Sequence, residues 1–418
     1  MTKRLILAFV FLSWHLVACS NGDSGISSGL PDKPSAEEDS PGTETISEEM
    51  RVKITGEDLY ISAKLDAKTD ILYWFKKCMF NELFTFYRVG TIDNNMPTPA
   101  TLPDASPTSL LNLAYSDNIG PFNITGYGWC GGNHPYLDEV TQTARNIGYR
   151  IYIDGKEIKT DLSTLTKEIK IEVINEIMNP SKADTSSGKT LLNEILCIET
   201  VNYSIYRNNI QVLVTYEFQN ESPVTVQMYY GMQSMFDKET HTLTANGKYV
   251  DWTVQKDVST FTKKEYPSFR RFIEKSANAY QSSYLFADGL GNHEEISDDD
   301  IIFIGNSSNK TYHKIIADRE HKKGDIIHWS GVYTWFKSPV SDDDDLLCYE
   351  GVIDNKKVLF IDCKKSVDRT IQLPVDYTKK SFTIIEKSKS ITITGNKVTA
   401  KGLRIVSDGS GSCVITFD

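Results

Sequence analysis

A glycine-rich peptide at residues 127–136 combines flat aromatic side chains with polar groups that could bind or process a sugar. Its glycines permit positive φ angles or a close approach of the backbone. Trp129 and Tyr136 offer apolar faces for a sugar ring, and Asn133 offers hydrogen-bond donors. His134 adds an acid–base group whose ordinary pKa lies near neutrality. The alternative interpretation is a tight turn, stabilised by its aromatic residues, in which His134 is hydrogen-bonded locally.

Two other segments could complete this site. Asn292 and His293 repeat the Gly-Asn-His order of residues 132–134, so two similar loops could meet at one end of a sandwich. His313 lies in a third polar segment. Lyase chemistry needs a base that removes a proton next to a carboxylate, and an amide or a cation that stabilises the developing charge. We therefore predict catalytic roles for His134, His293 and His313, and substrate binding by Trp129, Asn133, Tyr136 and Asn292.

Arg270 and Arg271 form a local basic patch in an otherwise acidic chain. Guanidinium groups bind carboxylates and sulfates through paired hydrogen bonds, so both residues are predicted to bind an acidic substrate. The alternative is a pair of charges that only face solvent.

Acidic runs at 294–300 and 342–345 carry carboxylates that could bind Ca²⁺ through oxygen ligands. They lack the spacing of a calcium loop, so we expect a solvated surface there and predict no metal site. The sequence contains no motif typical of serine hydrolases, zinc metalloproteases, P-loop proteins or dinucleotide-binding proteins. No cofactor is therefore predicted.

Strand patterns dominate the elements that must position these residues. Asp154-Gly155 and residues 207–209 each separate two apolar runs, which is typical of hairpin turns. Residues 169–173 alternate strictly between apolar and polar side chains, as in a half-buried strand.

Two segments are harder to interpret. Residues 266–277 predict a helix with Pro267 near its first turn. Trp329, Tyr333 and Trp335 share one face of a predicted strand. We expect this face in the core, with an exposed stacking platform as the alternative.

The strands predict a mainly β fold. Residues 48–338 are long enough for a large antiparallel double-sheet sandwich, and residues 346–418 are expected to form a small C-terminal β-sandwich module. Residues 203–233 contain a short hairpin, a long alternating strand and an aromatic strand. This stretch resembles strands of sugar mutarotase-like proteins and of the β domains of polysaccharide lyases. The resemblance implies a supersandwich-like body and a carbohydrate substrate.

The charge balance argues against a general nucleic-acid-binding protein. The chain has 45 Lys and Arg against 56 Asp and Glu, a formal net charge of −11. Binding to phosphates would need a surplus of Lys and Arg. Aromatic residues make up 11% of the chain, which is typical of strand-rich folds and of surfaces that stack on sugars.

The N-terminal residues predict a lipid anchor. A short positive head precedes an apolar run, Leu5 to Ala18, which is too short to span a membrane as a helix. Its end, up to Cys19, resembles a bacterial lipoprotein signal, in which the cysteine is acylated and becomes the new N-terminus. An ordinary signal peptide is the alternative. We thus predict a signal peptide at 1–18 and a lipidated Cys19 with a flexible tether at 19–47.

The lipid, the tether and the acidic β-rich body together resemble surface lipoproteins of glycan-using Bacteroidota-type bacteria. That layout implies a bacterial cell-envelope location, on the outer membrane and exposed at the cell surface. Six of the seven cysteines follow Cys19, and an oxidising compartment allows disulfides. Cys348 and Cys363 are the first candidate pair, with buried free thiols as the alternative.

Two functions agree with these observations. The first is a surface-anchored carbohydrate-active enzyme, lyase-like or mutarotase-like, that acts on an acidic glycan. The second is a non-catalytic glycan-binding or adhesive surface lipoprotein. Both have an oligo- or polysaccharide as partner, both are attached to the outer membrane through lipid, and neither binds nucleic acid.

Overall fold

Antiparallel strands make up nearly all the regular structure of the chain. The computed structural model describes residues 46–100, 109–112, 119–182, 191–236, 241–243, 247–251, 259–261, 270–286, 302–305 and 310–418. Within these ranges the helical elements are short 3₁₀ turns at Pro180–Lys182 and Val375–Tyr377. None of the helices there is long and apolar enough to span a membrane.

The strands of the first half of the chain are β1 (Met50–Thr55), β2 (Asp58–Lys64), β3 (Thr69–Cys78), β4 (Leu83–Asp93), β5 (Ser109–Asn112), β6 (Pro121–Ile124), β7 (Gly128–Gly131), β8 (Ala144–Ile153), β9 (Lys156–Ile158), β10 (Leu162–Thr166), β11 (Ile169–Met178), β12 (Ile195–Tyr206), β13 (Asn209–Phe218) and β14 (Val224–Met235). Those of the second half are β15 (His241–Leu243), β16 (Tyr249–Asp251), β17 (Ser259–Phe261), β18 (Arg271–Lys275), β19 (Tyr280–Leu285), β20 (Ile302–Gly305), β21 (Lys310–His321), β22 (Ile326–Phe336), β23 (Ser341–Asp342), β24 (Leu346–Ile353), β25 (Lys356–Cys363), β26 (Val367–Ile371), β27 (Phe382–Lys387), β28 (Ile391–Ile393), β29 (Leu403–Ser407) and β30 (Gly411–Phe417).

The described strands form five sheets. The N-terminal sheet has the order β10-β1-β2-β3-β4-β5, and the second sheet has the order β17-β20-β21-β14-β6-β7. The central sheet has ten strands in the order β16-β15-β18-β19-β22-β13-β12-β11-β8-β9. Near the C-terminus, β23-β24-β25-β30-β27 and β26-β29-β28 form two smaller sheets.

One hydrophobic core joins the three large sheets. It contains Phe75 and Phe86 from the N-terminal sheet, Tyr229 from the second sheet, and Tyr203 and Trp335 from the central sheet. Rings from different sheets contact one another, as in the edge-to-face pair of Phe75 and Tyr203 with centroids 5.4 Å apart. The arrangement is that of a sandwich of antiparallel sheets, so the predicted mainly β sandwich fold is confirmed.

The two C-terminal sheets enclose a core of their own, with Ile361, Ile405 and Ile415 among its members. A further cluster connects this core to the central sheet. In it, Phe336 and Tyr349 stack face to face with ring centroids 4.2 Å apart. Residues from Glu44 onward therefore form one compact unit by their contacts, and the division at 338–346 stays a prediction.

The two predicted hairpin turns contain residues with positive φ angles. Asp154 and Gly155 have φ angles of +47° and +79° and close the hairpin of β8 and β9. Arg207, with φ of +51°, closes the hairpin of β12 and β13. Both hairpin predictions are confirmed. Trp329, Tyr333 and Trp335 are fully buried, so their face belongs to the core and the alternative of a stacking platform is wrong.

Two other expectations are wrong. A helix is predicted over residues 266–277, and the part of this segment that the structure describes contains strand β18 instead. This strand pairs with both β15 and β19. Its residues are buried on both faces, so the spacing of its apolar residues does not report a helix. No disulfide joins Cys348 to Cys363, and all six described cysteines are buried free thiols. Cys348 lies opposite Ile361 rather than Cys363, and such a diagonal offset is generally too wide for a disulfide.

Candidate functional site

The glycine-rich peptide forms an edge of the second sheet and the loop that follows it. Gly131 and Gly132 have φ angles of +76° and +57°, in the left-handed region that residues with a side chain rarely adopt. A Cβ atom at Gly131 would also lie 3.3 Å from the side chain of Ile177. The two glycines therefore end β7 two residues after Trp129 and turn the chain into the loop.

Two rings from this peptide and one from β14, which pairs with the other side of β6, form what we call the aromatic cluster: Trp129, Tyr136 and Tyr230. The rings of Trp129 and Tyr230 are 6.2 Å apart at an interplanar angle of 17°. Those of Trp129 and Tyr136 are 6.3 Å apart at 31°. All three side chains are half-buried, so each presents part of its surface to solvent.

The backbone next to the cluster is closely packed. Gly120 precedes β6 and has a φ of +100°. A Cβ atom there would lie 1.5 Å from the carbonyl oxygen of Tyr230, so no larger residue fits without moving β14. This contact fixes the position of the backbone that carries one ring of the cluster.

Asn133 points into the protein and fixes the loop. Its Oδ1 accepts a hydrogen bond from the backbone N–H of Leu83 at 3.3 Å, and its Nδ2 lies 3.9 Å from Cys78 Sγ. Asn81 Nδ2 donates to the carbonyl of Gly132 at 2.8 Å. The amide of Asn133 is buried, so the structure gives it a role in positioning the loop. Contact of this amide with a substrate stays a prediction.

The predicted catalytic histidines occupy different environments. His134 is half-buried and packs edge-to-face against Tyr136, with ring centroids 5.7 Å apart. His313 is fully buried on β21, where it stacks on Phe272 at 5.0 Å. Asn292 and His293 lie outside the described residues. The described part of the chain therefore brings His134 to the aromatic cluster and keeps His313 in the interior, and their catalytic roles stay predictions.

Arg270 and Arg271 are paired with carboxylates of the C-terminal sheets. Arg270 forms an ion pair with Glu386, and Arg271, only 3% exposed, forms one with Asp362. Both arginines line a cavity of about 460 Å³ together with Tyr284 and several serine and lysine residues. Since each guanidinium group already has a carboxylate partner, these contacts favour a structural role at this junction.

A buried acid lies on a strand of the central sheet. Glu199 on β12 is 3% exposed. Its Oε1 accepts a hydrogen bond from Asn175 Nδ2 at 2.7 Å, and its Oε2 accepts one from the hydroxyl of Tyr216 at 2.9 Å. The hydroxyls of Tyr216 and Tyr229 are 2.7 Å apart, and Trp329 Nε1 donates to Tyr229 at 2.7 Å.

Burial raises the pKa of Glu199 to about 7, although the hydrogen bonds from Asn175 and Tyr216 favour its ionised form. A cavity of about 20 Å³ lies beside it and is lined in part by Gly132 and Asn133. That volume is near the size of one water molecule. Glu199 is therefore an ionisable group of the interior that a saccharide does not reach.

The sequence does contain a signal for this acid. On β12, every second residue from Cys197 to Ile205 is buried, and Glu199 is the charged member of that series. A carboxylate at an inward-facing position of an alternating strand indicates a buried polar network.

The acidic run at 342–345 forms ion pairs. Asp342 lies 2.8 Å from Lys275 Nζ and 2.9 Å from Lys364 Nζ, and Asp343 lies 2.7 Å from Arg369. Although burial opposes ionisation, hydrogen bonds from Lys275 and Tyr280 lower the pKa of Asp342 to about 2. Among the described residues, no group of three or more His, Cys, Asp or Glu is arranged to hold a metal ion.

Comparisons with known proteins find solved structures that resemble part of this chain. No protein-family model and no curated protein matches the chain. The GH36 alpha-galactosidase AgaB from Geobacillus stearothermophilus is 9% identical, with a TM-score of 0.37 over 69% of this chain and 41% of that one. The galactosidase domain of alpha-galactosidase-sucrose kinase AgaSK is also 9% identical, with a TM-score of 0.36 over 68% and 41%.

A Glycoside Hydrolase Family 97 enzyme from Pseudoalteromonas sp. strain K8, solved in complex with acarbose, is 6% identical, with a TM-score of 0.35. The aligned part covers 70% of this chain and 37% of that one. The chain thus spans about two fifths of the length of the solved structures it matches.

Proposed function

We propose that the protein binds a saccharide on the aromatic cluster and does not transform it. The observation that supports this most is the half-exposed cluster of Trp129, Tyr136 and Tyr230, in which Trp129 is nearly parallel to Tyr230 and tilted by 31° from Tyr136. Flat apolar surfaces suit the C–H faces of a pyranose ring. Because Gly120 and Asn133 fix the backbone around the rings, little ordering of the protein is needed when the ligand binds.

Binding fits the surroundings of the cluster better than catalysis. A general acid or base must come within hydrogen-bond distance of the reacting atoms. His134 contacts the cluster, but His313 and Glu199 are buried in the interior. We therefore favour a glycan-binding protein over a lyase-like or mutarotase-like enzyme.

We also propose that the protein is a surface lipoprotein of the bacterial outer membrane. The basis is the sequence around Cys19, which resembles a lipoprotein signal, followed by a tether rich in small and polar residues. Acyl chains on Cys19 would hold the aromatic cluster outside the membrane, where it can meet polysaccharides.

The binding proposal is tested with a glycan array, followed by titration calorimetry with a glycan that binds. We expect Trp129→Leu to weaken binding at least tenfold, because it removes the central ring of the cluster. Tyr136→Leu should also weaken binding, and it serves as the second variant if Trp129→Leu fails to fold. The matched control is Tyr127→Leu, since Tyr127 is 53% exposed and its side chain lies outside the cluster.

A His134→Ala variant separates the two functions. A binding protein should retain most of its affinity in this variant, and no new product should form in either protein. Unchanged affinity in both ring variants would refute the aromatic cluster as the site. Turnover of the glycan by the wild type that disappears in His134→Ala would instead establish an enzyme.

A further inference from the structure

The two ends of the outer face of the N-terminal sheet differ among the described residues. At the covered end, the segment 94–100 lies over the strands: Ser62 Oγ donates to the carbonyl of Ala100 at 3.0 Å, and Lys64 Nζ donates to that of Asn94 at 2.7 Å. At the other end, side chains of β1 to β4 are half-buried, so each presents part of its surface to solvent. We call these side chains the outer platform: Lys53, Tyr60, Trp74, Lys76, Tyr87 and Arg88.

Strand register aligns the outer platform across four strands. Lys53 lies opposite Tyr60, Tyr60 opposite Trp74, and Trp74 opposite Arg88. The register shifts between Trp74 and Phe75, so that Tyr87 is the extra residue of β4 at this point. Such a bulge lets two consecutive side chains, Tyr87 and Arg88, face the same side.

The rings of the outer platform form a continuous aromatic surface. Tyr60 and Trp74 stack with centroids 5.3 Å apart at 25°, and Tyr87 meets Trp74 edge-to-face at 5.0 Å. The indole Nε1 of Trp74 donates to Asp58 Oδ1 at 3.0 Å, which fixes the orientation of that ring.

Two cations lie over these rings. Lys76 Nζ is 4.4 Å from the ring centroid of Trp74 and 4.3 Å from that of Tyr87. The guanidinium carbon of Arg88 is 4.8 Å from the centroid of Tyr87. Neither cation forms an ion pair with a carboxylate within the described residues, and Arg88 Nη2 donates to the hydroxyl of Tyr87 at 3.2 Å, which holds the guanidinium group beside that ring. Both are therefore positioned to receive an anion.

A groove continues the outer platform along β3 and the turn to β4. It has a volume of about 450 Å³, and its lining includes Lys76, Lys77 and Tyr87 together with the acids Glu57 and Glu82. The ammonium group of Lys77 pairs with Glu57 at 3.1 Å. The groove thus shares Lys76 and Tyr87 with the outer platform and gives a chain-like ligand a path beyond the rings.

We propose that the outer platform binds an acidic polysaccharide, with sugar rings on Tyr60 and Trp74 and their carboxylate or sulfate groups at Lys76 and Arg88. Aromatic faces suit sugar rings, and guanidinium and ammonium groups form charge-assisted hydrogen bonds with such anions. The formal net charge of −11 disfavours the long phosphodiester chain of a nucleic acid, whose binding would need an extended surplus of Lys and Arg. The outer platform shares no residue with the aromatic cluster, so this inference stands apart from the proposed function.

The test measures binding of the whole protein to polygalacturonate, dextran sulfate and neutral dextran at about 0.15 M salt. The two acidic polymers separate carboxylate from sulfate as the preferred anion. The test variant is Lys76→Gln with Arg88→Gln. Its matched control is Arg150→Gln with Lys170→Gln, since these exposed residues of β8 and β11 carry the same charges and pair with Glu172 and Glu168.

We expect the test variant to lose at least tenfold in affinity for at least one acidic polymer, while the control variant keeps wild-type affinity. Wild-type binding to dextran should be much weaker than to that polymer, and rising salt should weaken acidic-polymer binding. The proposal is overturned if neither acidic polymer binds, or if the test variant binds as well as the wild type or no worse than the control. Tighter binding of a single-stranded oligonucleotide or of phosphatidylglycerol vesicles would also overturn it.

Discussion

The buried carboxylate of Glu199 should make the stability of the protein depend on pH in a defined direction. Burial raises its pKa from 4.5 to about 7 in the folded state. A carboxyl group with a raised pKa favours folding below its unfolded pKa, and this contribution is lost as the pH rises through the folded value. We therefore predict that Glu199→Gln loses less stability than the wild type between acidic and slightly basic pH.

The magnitude follows from the two pKa values. Each pH unit between 4.5 and about 7 corresponds to about 1.4 kcal/mol, which gives about 3–4 kcal/mol in total. About 2–3 kcal/mol of this falls between pH 5 and pH 8. The Gln amide can replace the protonated acid, because its oxygen can accept from Asn175 while its NH₂ group donates to Tyr216.

The assay is urea unfolding at pH 5 and pH 8, followed by tryptophan fluorescence. The difference in free energy of unfolding between the two pH values should be about 2–3 kcal/mol smaller in Glu199→Gln than in the wild type. The matched control is Glu217→Gln on the neighbouring strand, because Glu217 is exposed and its replacement should leave the difference unchanged. Equal pH dependence in the wild type and Glu199→Gln would refute the argument.

Two further predictions concern a buried ion pair and the lipid anchor. Lys64 and Asp70 are fully buried, and Lys64 Nζ lies 2.9 Å from Asp70 Oδ1. Because Lys64→Met leaves the buried carboxylate without its cation, we expect urea unfolding to show a free energy of unfolding about 3–5 kcal/mol lower than in the wild type. A decrease below about 1 kcal/mol would contradict this. Expression with radiolabelled palmitate should label the wild type but not Cys19→Ser. The wild type should be found in the membrane fraction, whereas Cys19→Ser should be absent from it. Equal labelling of both proteins would contradict acylation at Cys19.

Local sequence features predicted the β fold well. Alternation and turn residues act over a few positions, so the hairpin at Asp154 and Gly155 could be identified without any knowledge of the sheets. The helix expected at 266–277 fails for a related reason. Phe272 and Ile273 belong to a strand that is buried on both faces, and their apolar spacing then carries no information about helical period.

The site was only partly visible in the sequence because burial depends on contacts between distant segments. Trp129 and Tyr136 could be proposed from their own peptide, but Tyr230 joins them only because β14 pairs with β6. In the sequence, Asn133 looks like a hydrogen-bond donor for a ligand. In the structure its side-chain amide points into the protein, where it accepts a hydrogen bond from the backbone N–H of Leu83, 50 positions away in the sequence. The outer platform depends in the same way on the register of four strands.

The most direct test of the account is a crystal structure of the protein grown with an oligosaccharide that binds on the array. We predict a pyranose ring over the indole of Trp129, with Tyr136 or Tyr230 in contact with a neighbouring part of the sugar. An oligosaccharide bound elsewhere, with no sugar on these three rings, would contradict the central claim.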